Sequence, residues 1–410
     1  MYVGHRLTLF LLCACFLAEG IVIASIGPSL PDLARQVHKP LAELGILFAP
    51  LFGGAIIAQL IAGPFSDRFG RRVVLVSSLI MFALGMVTLT LCQHFGWMLT
   101  ATAFAGLGFG GLTLVVNVLA AELAPERSAS TLNLVNGFYA IGAIAGPLLA
   151  GLALSRYDRA VPAIWSGATM MILFSPLATR VPLPALAHRQ PRGAASTAVA
   201  SAVSSTATAV AAAPPTLRSW FLWACAAVLL IYVGSEASVG SWTTVYLMES
   251  TGATAVRAAA LTSVFWVALC VGRAGGVVAG LHLTAQHLLL LSLAGTVLGG
   301  VALVGGHGVV GLTLVGLAIL GMAYGPVYPT MMAIVAGRYA HAAATAASRV
   351  GAVASIGGML LPSVHGRVIE HAGTRASALL ILGLAVLMCI GWLLILRLDR
   401  RDAASTHGIA

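Results

Sequence analysis

The sequence predicts an all-α membrane protein, with twelve transmembrane helices in two pseudo-symmetric six-helix bundles. Three observations predict it. Only 8% of the 410 residues are charged and 59% are hydrophobic, with a mean hydropathy of +0.99. Apolar stretches long enough to span a bilayer, roughly 20 residues each, follow one another between short polar loops. One long polar stretch, 183–218, divides six of them from the other six. A soluble chain of this length leaves too much surface facing water to hide so much apolar material. A membrane β-barrel would show short alternating segments, and the sequence has none.

The spans begin near Leu7, Leu44, Val73, Trp97, Leu132 and Val161, then near Trp220, Val256, Gln286, Val309, Ala343 and Ala376. The first stays apolar to Ile26, carries Glu19 and lacks a small-x-small cleavage site, so a retained helix is expected rather than a signal peptide. The 46 glycines suit helices that pack backbone to backbone. Residues 183–218 are rich in Ala, Ser, Thr and Pro and read as a flexible linker. The expected division is 1–182 for the first bundle, 183–218 for the linker, 219–397 for the second bundle and 398–410 for a tail.

Basic residues set the orientation. With the N-terminus cytoplasmic, thirteen arginines fall inside, and six arginines and Lys39 fall outside. Both chain ends are therefore expected in the cytoplasm of a cell inner (plasma) membrane. The net charge of +10 reads as topology and attraction to anionic lipid, which excludes a nucleic-acid-binding role. All six cysteines lie within or beside spans, so neither a disulfide framework nor a metal site is expected. The halves echo each other: Glu19 and Glu236 differ by 217 positions, Gly63 and Gly280 by 217, and Gly146 and Gly358 by 212.

After the second span comes Gly63-Pro64-Phe65-Ser66-Asp67-Arg68-Phe69-Gly70-Arg71-Arg72. This resembles the loop signature G-x-x-x-D-R-x-G-R-R of the major facilitator superfamily. The resemblance implies a transporter that binds its substrate near the bilayer midplane and rocks to expose it alternately. It also implies a gating network of Gly63, Asp67, Arg68, Gly70, Arg71 and Arg72. Asp67 would face the eleventh span, and the arginines would pair with Glu122 and Glu126 in the turn between spans four and five. The second half has Thr284 where Asp67 would map.

Ionisable residues inside spans are costly and functional by default. Here they are Glu19, Glu236 and Arg273. A carboxyl group kept from water favours its neutral form and can load and release a proton, so Glu19 and Glu236 are the expected coupling residues. Arg273 snorkels, pairs with an acid or binds substrate. Asn117, Asn136, Tyr139, Tyr324 and Tyr328 donate and accept hydrogen bonds and suit a hydroxyl-rich ligand, as does Gln59. Trp242 and Trp266 offer flat faces for a sugar ring or serve as interfacial anchors.

The seventh span carries Tyr232-Val233-Gly234-Ser235-Glu236-Ala237-Ser238-Val239-Gly240-Ser241-Trp242, similar to a pattern of fucose-permease-like sugar transporters. Ser263-Val264-Phe265-Trp266 with Gly272-Arg273, and Gly325-Pro326-Val327-Tyr328-Pro329-Thr330, resemble the same group. That group has a second acid in its fourth span, where this chain has Thr113. The competing branch is the drug–proton antiporters, whose fifth-span signature Gly142–Gly151 matches in part. The Arg they carry in the fourth span is Thr102 here. A non-transporting receptor on the same fold is a third reading. No catalytic pairing of side chains points to an enzyme. The expectation is a monomer that takes up a small neutral solute with protons. It needs the lipid bilayer and no cofactor beyond an ion gradient, with sodium open as an alternative ion.

Overall fold

A computed structural model describes residues 3–123, 128–181, 183, 219–339 and 343–407. Nearly all of them are helical. The first half comprises α1 (Val3–Gln36), a 3-10 turn (Leu41–Leu47), α2 (Phe48–Phe69), α3 (Arg71–Leu91), α4 (Phe95–Leu123), α5 (Ser128–Tyr157) and α6 (Pro162–Arg180). The second comprises α7 (Trp220–Thr251), α8 (Ala255–Ala279), α9 (Ala285–Gly305), α10 (Val310–Tyr324), α11 (Val327–Arg338) and α12 (Ala343–His407).

Among the described residues, ten segments are long and apolar enough to cross a membrane. Two features raise the count of crossings to twelve. The apolar run Ala346–Asp399 is 54 residues long, enough for two passes, and turns back at Gly373, whose φ of +80° is open to glycine alone at little cost. The 19-residue α6 is less apolar but spans about 28 Å at 1.5 Å per residue. The expected tenth span is broken instead of continuous. Pro326 has no N–H to give the helix, so α10 stops at Tyr324 and α11 restarts at Val327. The linker 184–218 lies outside the described residues. Crossings alternate in direction. One face, here called proximal, carries the first turn of α1, the α2–α3 turn and the end of α12; the distal face carries the α1–α2 and α5–α6 turns.

Glycines let backbones touch, and they do so twice over. In the first half α2 packs on α4 and α1 on α5; in the second, α8 packs on α10 and α7 on α12. A Cβ on Gly106 would strike Leu51 O, and one on Gly142 would strike Leu17 O. Gly321 and Gly357, each 215 positions further on, would strike Phe265 O and Leu230 O in the same way. This repeat corrects the sequence offset. Leu17 and Leu230 make equivalent contacts 213 positions apart, so the counterpart of Glu19 is Tyr232. Glu236 sits one helical turn beyond it. Gly146 likewise maps to Leu361, not Gly358.

The halves meet toward the distal face. Gly27 of α1 abuts Ser241 of α7, and Gly45 abuts Pro362 and Ser363 of α12. Gly151 of α5 touches Val256 and Ala260 at the start of α8. Ser263 donates a 2.8 Å bond to Ile144 O. Trp242, Val245 and Ile369 of the second half are part of the hydrophobic core of the first. Asp32, buried near the distal end of α1, reinforces this side. It pairs with Arg35 at 2.5 Å and accepts a bond from Ala160 N just before α6. Asp32→Ala is expected to lower the melting temperature of purified protein, since about 1–3 kcal/mol is lost when buried polar partners are left unmet.

Candidate transport site

The polar residues of α1, α4 and α5 form one chain. Glu19 is 1% exposed. Its Oε1 lies 2.8 Å from Thr113 Oγ1, while Oε2 has no hydrogen-bond partner. One turn along α4, Asn117 Nδ2 donates to Thr113 O at 2.8 Å. Asn136 of α5 donates to Asn117 Oδ1 at 3.1 Å and to Leu132 O at 2.9 Å. The helices that carry these groups approach closely because Gly20 and Gly142 face each other's backbones.

A second cluster occupies the other half. Arg273 of α8 lies 3.7 Å from Glu236 of α7, and both side chains are partly exposed. Tyr232 packs edge-on against Tyr324 at 5.5 Å and beside Tyr328 at 6.4 Å. Phe265 continues the row, 6.3 Å from Tyr324 and 5.3 Å from Trp266. Ser238 Oγ and Trp266 Nε1 are buried with no hydrogen-bond partner, and the Trp266 ring lies against Gly240. Tyr139 joins the clusters: its ring packs on Phe16 at 6.2 Å, and it lies within electrostatic range of Glu19, Glu236 and Arg273.

Sequence reading thus named residues that the fold gathers into two linked groups. Glu19, Asn117 and Asn136 meet through Thr113, and Glu236, Arg273, Tyr324 and Tyr328 meet around Tyr232. Trp242 does not join them. It is 1% exposed, donates to Pro362 O at 2.8 Å and packs on Gly366 and His365. No face of its ring is left for a sugar. Thr113, which stands where the fucose-permease-like group has its second acid, and Tyr232, which opens the seventh-span pattern, join the expected site residues. Each lies four positions from one of them, Asn117 and Glu236, on the same helix face.

The α2–α3 turn is built on Gly70, with φ +88° and ψ 150°. A side chain there costs about 1–3 kcal/mol, so Gly70→Ala is expected to lower the melting temperature without touching solute binding. Arg71 pairs with Glu122 at the end of α4. Among the described residues, Arg72 donates to Val181 O at 2.8 Å, closing the end of α6, where a terminal carbonyl lacks a helical donor. Arg68 lies over the neighbouring Phe69 ring at 5.2 Å. Glu126, the side chain of Asp67 and the surroundings of Gly63 lie outside what the structure describes.

The profile of the Major Facilitator Superfamily matches residues 12–285 and 283–409. The chain belongs to that superfamily. Its members are membrane transporters of small molecules. The sodium-dependent glucose transporter 1 of Danio rerio is 24% identical over 389 residues, 88% of this chain and 64% of that protein. The chain thus spans under two thirds of that relative's length. Multidrug resistance protein MdtL of Escherichia coli is 30% identical over 168 residues, 40% of this chain and 42% of its own. Among solved structures, the nucleoside transporter NupG aligns with a TM-score of 0.79 at 11% identity, over 95% of this chain and 99% of that one. The E. coli fucose:proton symporter FucP aligns with a TM-score of 0.62 at 18% identity, over 96% and 99%. These two likenesses establish the fold.

Proposed function

We propose that this superfamily member takes up a small, neutral, hydroxyl-rich solute, a sugar by class, together with a proton. The observation that carries the reading is Glu19. It is a carboxyl group buried among helices, without a cation beside it among the described residues and tied to a chain of neutral hydroxyl and amide groups. Such a group is costly to keep charged and changes state readily when a rocking motion alters its access to water. Asn117, Asn136, Tyr139, Tyr324 and Tyr328 offer the mixed donors and acceptors that sugar hydroxyls require. Trp266 offers an aromatic face with an unused N–H. The Glu236–Arg273 pair supplies a second, partly hydrated charge site opposite.

The glucose transporter named in the Danio relative supports the sugar class, while its sodium dependence makes the ion a point to test. The orientation follows the arginine distribution, with the proximal face in the cytoplasm of the inner membrane. On that reading the Arg71–Glu122 contact belongs to the cytoplasmic gate. A second reading, efflux of a lipophilic compound against protons, is favoured by the MdtL match.

Purified protein in proteoliposomes decides between them. A screen of sugars, polyols and drugs by thermal shift is expected to give dose-dependent stabilisation by a sugar. That sugar should then accumulate under an imposed pH gradient in sodium-free buffer, with protons entering alongside it. Stabilisation by drugs alone would overturn the proposal, and accumulation only with sodium would replace the ion.

A further inference from the structure

Thr113 makes two contacts with a single hydrogen. Its Oγ1 is 2.8 Å from Glu19 Oε1 and 2.9 Å from Phe109 O, one turn back on α4. A hydroxyl donates once, and a backbone carbonyl only accepts. When Thr113 donates to Phe109 O, its contact with Glu19 is a hydrogen bond only if Glu19 is the donor, and therefore protonated. When Glu19 is ionised, Thr113 must turn its hydrogen toward the carboxylate and release Phe109 O.

The surroundings favour the first arrangement in this conformation. Glu19 is 1% exposed and its Oε2 has no partner. As a charged oxygen, Oε2 would stand unpaired in a dry site. As the carbonyl oxygen of a neutral acid it forgoes much less. The neutral chain from Glu19 O–H to Thr113 O–H to Phe109 O uses every hydrogen it has. The titratable neighbours do not offer a competing donor charge. Cys15 lies on the same helix and Tyr139 on α5, with Glu236 of α7 and Arg273 of α8 within electrostatic range of Tyr139. The stretches of α4 and α6 beside Glu19, residues 109–117 and 163–171, contain no ionisable side chain. The turn of α4 that holds Thr113 is fixed in turn, because Asn117 bonds its carbonyl and Asn136 bonds Asn117.

We propose that Thr113 is a positioning residue that holds the transported proton on Glu19 while the distal closure is formed, its hydroxyl reversing direction when the proton leaves. The proposal rests on Glu19 being the coupling acid. It assigns to a hydroxyl the task of registering that proton.

The test compares wild type, Glu19→Gln, Thr113→Val and Thr113→Ser in proteoliposomes. It uses infrared difference spectra and the pH profile of uptake. Wild type is expected to show a protonated-carboxyl band that Glu19→Gln removes. Thr113→Val should move that band to higher frequency, because the acid loses its acceptor. It should also displace the pH midpoint of uptake by about one unit, a tenfold change in proton affinity. Thr113→Ser should restore both. Thr113→Ala replaces the valine variant if that one misfolds. A wild-type band and pH profile in the variants lacking the hydroxyl, alongside loss of accumulation in Glu19→Gln, would overturn the role of Thr113 alone. Normal accumulation in Glu19→Gln would instead remove the coupling reading on which it rests.

Discussion

Replacing Glu19 by glutamine is expected to abolish uphill accumulation of solute while leaving solute exchange intact. Gln has the shape of the protonated acid, and its amide N–H can donate to Thr113 Oγ1, 2.8 Å from the Glu19 carboxyl group, as a protonated acid would. The variant is therefore locked in the form that carries a proton, and a loaded carrier still shuttles solute both ways. What it loses is the ability to release and reload. For one proton per solute, a gradient of one pH unit supports about a tenfold concentration ratio, and the variant should return that ratio to one. Accumulation in wild type and variant, measured beside counterflow at equal pH, checks this. A retained gradient-driven ratio would place coupling elsewhere, with Glu236 next in line.

Glu236 is the weaker candidate on physical grounds. Arg273 lies 3.7 Å away, and its side chain and that of Glu236 are 39% and 20% exposed. The geometry of Glu236 is that of an ion pair, whereas Glu19 meets neutral groups among the described residues. Glu236→Gln is expected to leave Arg273 without its partner and to weaken solute binding, with coupling retained. The different environments follow from the repeat. Because Tyr232 is the true counterpart of Glu19, the two acids lie one turn apart in depth, and the second half answers a buried acid with a tyrosine.

The fold was legible in the sequence because the bilayer leaves few solutions. Backbone polar groups must be met within each span, so long apolar runs mean helices, and their number follows from length. Glu19, Glu236 and Arg273 were legible for the related reason that charge is dear in an apolar run. The rest turned on contacts that composition does not encode. A threonine in a membrane helix ordinarily bonds the carbonyl four residues back, as Thr113 does, and nothing in its identity announces a second contact with α1. Nothing in the sequence singles out Asp32, which the fold buries against the α5–α6 turn. Arg72, expected in the gating network, also meets the carbonyl of Val181 at the end of α6, a contact that no motif announces. The glycine repeat misled by a turn, because glycine is so frequent here that chance pairs outnumber equivalent ones.

Trp242 shows how one residue type serves incompatible roles, and removing it should shift the conformational balance. Sequence alone placed it among sugar platforms. In the structure its ring fills the seam where α7 and α12 meet the first half, with Val245 and Ile369 beside it in that half's core. Contacts with Pro362, His365 and Gly366 lie within its own half and survive any rocking of one half against the other. Only the share facing the first half is lost on distal opening. Truncating a buried Trp to Ala removes about 3–5 kcal/mol in all, so roughly 1–3 kcal/mol of it bears on the closed–open equilibrium. That range moves the ratio about 5- to 150-fold toward the distally open state. Spin labels at Lys39 and Arg257, in a background lacking the six native cysteines, report the distance between halves on that face. Trp242→Ala is expected to enlarge the long-distance population. Trp242→Phe keeps most of the ring and should enlarge it less. If the distance distribution stays unchanged while solute affinity collapses, Trp242 is a binding residue after all and the distal seam is held by its other contacts, among them Gly27, Gly45, Gly151 and Ser263.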